Sequence, residues 1–388
     1  MADQEAHNIS IPTNVLVDIL LRLRPSDRRR YRLVCQQWRD AVDTRTTEMQ
    51  SRAKPLINTK GSAYVIDDLY SSADQGPTMS QLWASDDRVD TRLVGTCNGL
   101  ICLCHGDIRK PGGGAIALAN HLTGETLHVP PLPEGAHRTY CFAYHPTTGR
   151  YNVVHVPCRL DRVWVFVLGE PSWRYAVTAH PSAKCDYEAG IVSVDGSVYW
   201  ATCGKEGNEV KIMSIDLEDE LVRTIPGLPT VLSEPSSWTL AEVRGKLGLV
   251  FIHEESPTVD ETEVWVMEGV VRGQHSWSKW YNMQTHKPQQ PWPFQLHHQQ
   301  FTRPNFALDG KHSILTTKLV CDSNEKIGYV FHKHMPSDDP QKAQRGVVEI
   351  DESNEGMVVA NVETRNVAWC RTFIYVETTE PLSVYQCW

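Results

Sequence analysis

The chain has 388 residues, of which 41% are hydrophobic and 22% are charged. This balance is typical of a folded globular protein and argues against disorder over most of the chain. The apolar runs are no longer than strands, far from the ~18 residues needed to span a bilayer, so no membrane partner is expected. The net charge is −9, and the basic residues between 22 and 54 share their segment with a strong apolar pattern and have no aromatic interleaving suited to base stacking. A nucleic-acid partner is therefore not expected either.

The first ~50 residues have helical periodicity, unlike the rest of the chain. Pro12 begins a helix, and Thr13 is the expected N-cap. An apolar stripe at helical spacing follows. Its members are Val15, Leu16, Ile19, Leu20 and Leu23.

Pro25-Ser26-Asp27 interrupts this stripe and begins a second helix, expected from about residue 27 to residue 33. Further apolar positions continue at helical spacing into a third helix. They are Tyr31, Val34, Cys35, Trp38 and Val42. Three helices in ~40 residues are too few to bury a self-sufficient core. We therefore expect this unit, residues 8–54, to depend on a partner or on the domain that follows it.

From about residue 63 onwards the pattern changes to short strand-like runs separated by Gly, Asp, Asn and Pro. Examples are residues 63–66, 99–103, 163–168, 197–200, 247–252 and 369–376. No convincing amphipathic helix of ten or more residues interrupts them. Residues 60–388 are therefore predicted to form an all-β domain, which could be a sandwich, a barrel or a propeller.

A weak repeat favours the propeller. Glycines beside predicted turns recur at intervals close to the ~50 residues of a kelch-type propeller blade. They are Gly99, Gly149, Gly196, Gly245 and Gly310. This period predicts six or seven blades. Because a ring must close or leave open edge strands, we expect the last strand, near residues 369–376, to join a blade that contains an early strand such as residues 63–66.

Two N-terminal motifs carry a family resemblance. Ile11-Pro12 precedes the apolar stripe, and residues 32–39 read Arg-Leu-Val-Cys-Gln-Gln-Trp-Arg. With both motifs at this separation, residues 10–54 resemble the F-box family, a helical hook for a Skp-type adaptor. The β region resembles the kelch-like F-box-associated domains of large plant F-box families. The phrases that resemble this family are residues 95–103, 120–125, 144–151 and 264–267.

The resemblance implies an adaptor-binding surface on the helices. The residues expected there are Ile11, Pro12, Val15, Leu16, Ile19, Leu20, Leu23, Val34, Cys35 and Trp38. Val34, Cys35 and Trp38 would also pack the helices together. The chain departs from the family pattern at Asn14 and Arg24, and most notably at Arg28 and Arg29, which replace two common leucines. Arginine stems can still cover apolar surface while the guanidinium reaches polar surroundings.

Motifs for intrinsic chemistry are weak. Cys102, Cys104 and His105 form the best metal-like cluster, but no second ligand pair follows at zinc-site spacing. Residues 112–114 are three glycines without the lysine and hydroxyl of a phosphate-binding loop. The eleven cysteines include no Cys-x-x-Cys, and residues 1–5 do not resemble a secretory signal. We therefore expect reduced thiols, a cytoplasmic or nuclear location, no metal, no cofactor and no catalytic residues.

Together these features predict a non-catalytic substrate receptor of a Skp–cullin–F-box ubiquitin ligase. The helices would bind the Skp-type adaptor and through it the cullin, and the β domain would bind an unidentified protein target. An alternative is a propeller enzyme, an oxidase or a hydrolase, with an accessory helical N-terminus. A third hypothesis is a scaffold that uses its F-box only for assembly, without ubiquitin transfer.

Overall fold

Three helices precede an all-β domain in the computed structural model of the chain. The structure describes residues 11–45, 53–59, 62–67, 79–84, 91–106, 114–132, 140–157, 162–177, 184–203, 210–226, 237–256, 259–271, 274–286, 305–306, 314–321, 327–334, 357–364 and 370–386. Within these residues, no helix is both long enough and apolar enough to cross a membrane.

The helices are α1 (Thr13–Leu21), α2 (Pro25–Tyr31) and α3 (Gln36–Arg45). Pro12, rather than the expected Thr13, occupies the N-cap of α1, and no side chain caps that end. Helix α2 begins at Pro25, earlier than predicted. Proline suits the first helical position because its fixed φ is already helical and its missing N–H would have no partner there.

The β domain is a six-bladed propeller, within the predicted range of six or seven blades. Each blade is a four-stranded antiparallel sheet. The strands are β1 Lys54–Thr59, β2 Ser62–Ile66, β3 Met79–Ala84, β4 Thr91–Cys97, β5 Leu100–His105, β6 Ala115–Asn120, β7 Thr126–His128, β8 Tyr140–His145, β9 Arg150–His155, β10 Arg162–Val167, β11 Arg174–Val177, β12 Lys184–Val194, β13 Ser197–Cys203, β14 Val210–Asp216, β15 Val222–Ile225, β16 Ser237–Val243, β17 Lys246–Ser256, β18 Val259–Val271, β19 Gln274–His286, β20 Asn305–Phe306, β21 Ile314–Cys321, β22 Ile327–His334, β23 Met357–Thr364 and β24 Cys370–Tyr375. In ring order the blades are blade 1, β24-β1-β2-β3; blade 2, β4–β7; blade 3, β8–β11; blade 4, β12–β15; blade 5, β16–β19; and blade 6, β20–β23.

The last strand closes the ring, as predicted. Strand β24 pairs antiparallel with β1, with Phe373 opposite Leu56, and β1 pairs in turn with β2. Strand β24 also lies beside β4, the first strand of blade 2. The C-terminal strand therefore supplies the innermost strand of a blade whose other three strands come from the start of the domain.

The glycine repeat marks the same position in successive blades. Asn98 and Gly99 form the turn between the first two strands of blade 2, with φ of 51° and 85°. A two-residue hairpin of this kind needs positive φ at both positions, which Asn-Gly adopts readily. The corresponding glycines in blades 3, 4 and 5 also have positive φ; they are Gly149, Gly196 and Gly245. Gly310 lies outside the described residues.

The hydrophobic core is divided among the six interfaces between neighbouring blades. Each interface holds a cluster of buried side chains contributed by both blades. Members from the two sides, starting between blades 1 and 2, are Leu56 and Leu93, Leu118 and Phe166, Val165 and Trp200, Ile212 and Phe251, Val264 and Ile314, and Phe331 and Ile57. A filled interface between every neighbouring pair is what makes the sheets a ring.

The chain continues past β24 across one face of the propeller. We call this the turn face, since it carries the short turns at residues 98–99, 121–124 and 146–149. A Cβ atom at Gly99 would meet the carbonyl oxygen of Val376, so the C-terminal tail, residues 376–386, passes directly over this turn. The Asn120 amide donates to the carbonyl oxygens of Thr378 and Glu380, at 3.1 and 2.8 Å. The tail is thus held on blade 2 by defined contacts.

Candidate functional site

The three helices have a small core of their own. Leu16 and Leu20 of α1 are fully buried against Ala41 and Val42 of α3. The side chains packed around this centre remain partly accessible; they are Ile11, Val17, Leu23 and Trp38. Such a core contains too little apolar surface to stabilise an isolated domain.

The apolar stripe of α1 has two sides with different surroundings. Val15 and Ile19, one turn apart, are 49% and 43% exposed. Val34, in the loop before α3, is 58% exposed, and Leu33 is equally exposed. The side-chain amide of Gln37, at the start of α3, donates to the carbonyl oxygen of Ile11 at 2.8 Å. The first turn of α3, which directly follows this loop, therefore lies at the N-terminal end of α1. The exposed members form what we call the apolar patch: Pro12, Val15, Ile19, Leu33, Val34 and Cys35.

The resemblance predicts that Leu16 and Leu20 face the adaptor. Here both side chains are fully buried against α3. The reason is geometric: residues four apart share one side of a helix, and α1 packs on α3 with that side. Aspartate at these two positions would therefore test folding of the helices rather than docking. Trp38 packs the helices together, with its ring 5.3 Å from that of Tyr31.

Arg28, one of the two departures from the family pattern in α2, has a structural role. Its side chain is buried, and Nη1 donates to the carbonyl oxygens of Leu20, Leu21 and Leu23 at 3.4, 3.4 and 3.0 Å. The last carbonyls of a helix lack partners within the helix. A cation that donates to them satisfies them and interacts favourably with that end of the helix. Arg28 thus stabilises the end of α1 through hydrogen bonds, whereas an apolar residue at this position could contribute only packing.

A buried carboxylate joins α2 to the C-terminal tail. Glu380 has no exposed surface. Its Oε2 accepts from the backbone N–H of Ser26 at 2.7 Å, and its Oε1 accepts from the Ser26 hydroxyl at 2.9 Å. The hydroxyl of Tyr385 donates to Oε1 at 2.8 Å. Three donors converge on this carboxylate, so its burial is compensated by hydrogen bonds.

Blade 3 contributes a second group of contacts to α2. The Tyr144 hydroxyl donates to the carbonyl oxygen of Ser26 at 3.4 Å, and Arg30 Nε donates to the carbonyl oxygen of Thr147 at 3.3 Å. Burial raises the pKa of Tyr144 to about 12, so this phenol keeps its proton at neutral pH. A Cβ at Gly149 would overlap the Arg30 side chain, which shows how closely α2 approaches the turn face.

The three side chains of the metal-like cluster have different surroundings. Cys102 and Cys104 are buried in the core between blades 2 and 3, and burial raises the pKa of the Cys102 thiol well above its usual value. The His105 ring is instead hydrogen-bonded to the Thr91 hydroxyl at 3.0 Å. Among the residues that the structure describes, no three His, Cys, Asp or Glu side chains are grouped so that they could hold a metal ion. Gly112 and Gly113 lie outside those residues.

Sequence reasoning missed the hydrogen bonds between α2 and the C-terminal tail. Ser26 and Glu380 are 354 positions apart, and neither lies in a recognisable motif. Leu33, inside the second N-terminal motif, was also absent from the expected surface. Its position directly before Val34 was the signal that could have identified it.

Comparison with known families agrees with this architecture. Residues 71–349 match the model of the F-box associated beta propeller domain, and residues 9–46 match the F-box-like model. The first match covers more than half of the chain. The chain therefore belongs to the family of F-box proteins with an F-box associated β-propeller domain.

Curated relatives come from Arabidopsis thaliana. An F-box/kelch-repeat protein is 24% identical over 307 residues, which cover 70% of this chain and 79% of that protein. An F-box protein is 22% identical over 294 residues, 70% of each chain. Among solved structures, a periplasmic gluconolactonase of Pseudomonas aeruginosa is 12% identical with a TM-score of 0.40, covering 85% of this chain and 100% of that one. That superposition is too loose to support any argument about function.

Proposed function

We propose that this protein is the substrate-recognition subunit of a Skp–cullin–F-box ubiquitin ligase in the cytoplasm or nucleus. The apolar patch of the F-box would bind the Skp-type adaptor, and the adaptor would bring the cullin. The propeller would bind a protein target. No group of the chain would take part in the chemistry; the protein would act by holding the target close to a ubiquitin-charged enzyme.

The apolar patch is the observation that carries this proposal. Exposed apolar side chains grouped on a small helical unit indicate a protein-binding surface. The patch lies on the segment that matches the F-box-like model. Buried apolar anchors supply most of the free energy of such interfaces. We therefore assign adaptor contact to the exposed residues of the patch, and a supporting role to the buried Leu16 and Leu20.

The position of the helices suggests where the target binds. Helix α2 and the C-terminal tail lie on the turn face over blades 2 and 3. A target on that face would compete with them for space. We therefore propose that the target binds on the opposite face of the propeller.

Binding to a purified Skp-type adaptor tests the adaptor interface. Val15→Asp combined with Ile19→Asp would place two unpaired charges in an apolar contact, each costing several kcal/mol. We expect affinity to fall by at least ~100-fold, while the propeller stays folded. Leu21→Asp is the matched control, because Leu21 is exposed to a similar degree on the other side of α1. Wild-type protein that binds no Skp-type adaptor, or a double variant that binds normally, would refute the proposal.

Metal analysis of the purified protein tests the non-catalytic part of the proposal. We expect no stoichiometric zinc or copper, and unchanged ubiquitin transfer when Cys102, Cys104 and His105 are replaced together by alanine. Stoichiometric metal in the wild type that is lost in this triple variant would support the propeller-enzyme alternative. A stability measurement on the same variant separates loss of core packing from loss of metal.

A further inference from the structure

The C-terminal tail contacts three parts of the molecule that are distant in sequence. Leu382 is buried in the core between blades 2 and 3, and its backbone N–H donates to the Glu125 carboxylate at 2.8 Å. Tyr385 packs edge-on against Tyr151 of blade 3, with ring centroids 6.0 Å apart. Between these anchors and β24, the Glu380 carboxylate accepts the two hydrogen bonds from Ser26 of α2. The tail is therefore an internal layer between the turn face and the F-box.

The tail directly continues the strand that closes the ring. Glu380 follows shortly after β24, the strand that completes blade 1 by pairing with β1. Its backbone is fixed by Asn120 of blade 2 and by the Thr378 hydroxyl, which accepts from the Glu380 N–H at 3.2 Å. The pairing of β24 with β1 fixes the start of the tail, and the contacts with blade 2 fix Glu380 itself. The carboxylate that accepts from Ser26 is therefore held in place by the propeller.

We propose that Glu380 is a clamp that fixes the orientation of the F-box relative to the propeller. Its three donors come from both domains, two from Ser26 of the F-box and one from Tyr385 of the tail. The domains are also joined by the chain between α3 and β1, so the clamp sets orientation rather than attachment. Ser26 and Glu380 are positioning residues; neither would contact the adaptor or the target.

Hydrogen exchange on the full chain tests the clamp directly. In Glu380→Ala the amides of α2 lose their link to the tail, and we expect them to exchange faster by on the order of tenfold or more, the effect of losing hydrogen bonds to a charged group. Glu377→Ala is the matched control: Glu377 lies in the same tail, is exposed, and pairs with Lys54 of β1 rather than with the F-box. Exchange in β1 and β24 should remain slow in both variants.

Two further variants keep the test decisive. Ser26→Ala removes one donor from the F-box side and leaves every contact of the tail with the blades in place, so it must also speed exchange in α2. Glu380→Gln keeps the shape and part of the hydrogen bonding, so its effect should be smaller than that of alanine. Unchanged α2 exchange in Glu380→Ala and Ser26→Ala would overturn the proposal. A second outcome would also overturn it: faster amide exchange in β24 of Glu380→Ala, together with unchanged exchange in α2 of Ser26→Ala. Glu380 would then only stabilise the ring.

The consequence for ubiquitin transfer rests on the proposed function and has a separate readout. With the adaptor, cullin and ubiquitin-charged enzyme reconstituted, the lysines of the propeller that receive ubiquitin can be mapped. A fixed orientation restricts transfer to a small set, which Glu380→Ala should broaden while adaptor affinity stays unchanged. An identical set in both proteins would overturn the orienting role. Wild-type protein that fails to bind the adaptor would refute the proposed function, while hydrogen exchange would still decide the clamp.

Discussion

Removing the closing strand should unfold the propeller. Deletion of residues 370–388 removes the partner of β1 over six residue pairs, equivalent to about six backbone hydrogen bonds at ~1 kcal/mol each. It also exposes the surroundings of Tyr375 and Leu382, both buried, at a cost of about 1.5–3 kcal/mol each. The total, ~10 kcal/mol, is comparable to the whole stability of a typical domain.

Urea unfolding and soluble yield would measure this effect. We expect the truncated chain to be insoluble, because β1 becomes an open edge strand. A matched pair of point variants isolates the contribution of the tail. Leu382→Ala should lower the free energy of unfolding by about 2–5 kcal/mol, whereas Val384→Ala, in an exposed position of the same tail, should change it by less than ~0.5 kcal/mol. A soluble truncated chain that unfolds cooperatively would refute the closed ring.

Three further predictions follow from single positions. Leu16→Asp buries a carboxylate in the helical core and should make residues 11–45 sensitive to protease, whereas Ile19→Asp should leave the rate of proteolysis unchanged. Equal protease sensitivity of the two variants would contradict the division of α1 into a buried and an exposed side. Gly99 and Gly245 have similar positive φ, but only at Gly99 would an alanine collide with the tail. The melting temperature should therefore fall further in Gly99→Ala than in Gly245→Ala. An equal decrease in the two variants would argue against the position of the tail. Burial, and secondly a neighbouring histidine, lowers the pKa of His334 to about 4, below the ~6.5 expected in the unfolded chain. The unfolded chain then binds a proton that the folded chain does not, so stability should fall as the pH drops from ~6.5 towards ~4. His334→Gln should reduce this loss in urea midpoints measured at pH ~7.5 and ~5, and an unchanged pH dependence would count against the assignment.

Local sequence patterns determined the two-part architecture. Residues such as Val15 and Ile19 recur at helical spacing, whereas the later runs alternate between apolar and polar positions, and these two periods distinguish helices from strands without tertiary information. Turn glycines such as Gly99 and Gly196 recur from blade to blade, because in blades 2 to 5 a turn with positive φ joins the first two strands. The repeat therefore indicated a propeller. The need to leave no open edge strand then indicated that a strand near the C-terminus closes the ring.

Several strands were not evident in the sequence. Strands β1, β4 and β8 among others were not distinguished, since short segments acquire strand structure from the neighbours to which they hydrogen-bond. The number of blades was also open, because one of the repeat glycines, Gly310, follows the previous one at an irregular interval. Six blades emerge only when every sheet is paired with the next through a shared core.

The function of individual residues depended on tertiary structure. The sequence placed Leu16 and Ile19 on one apolar stripe, and only the packing of α1 on α3 buried the first and exposed the second. Arg28 replaced an expected leucine, and its role required the carbonyl oxygens at the end of α1 to lie within reach. Ser26 and Glu380 lie near opposite ends of the chain, and a hydrogen bond between them carries no local signal. Periodicity reports which residues can share a surface, whereas long-range packing decides which of those surfaces are covered.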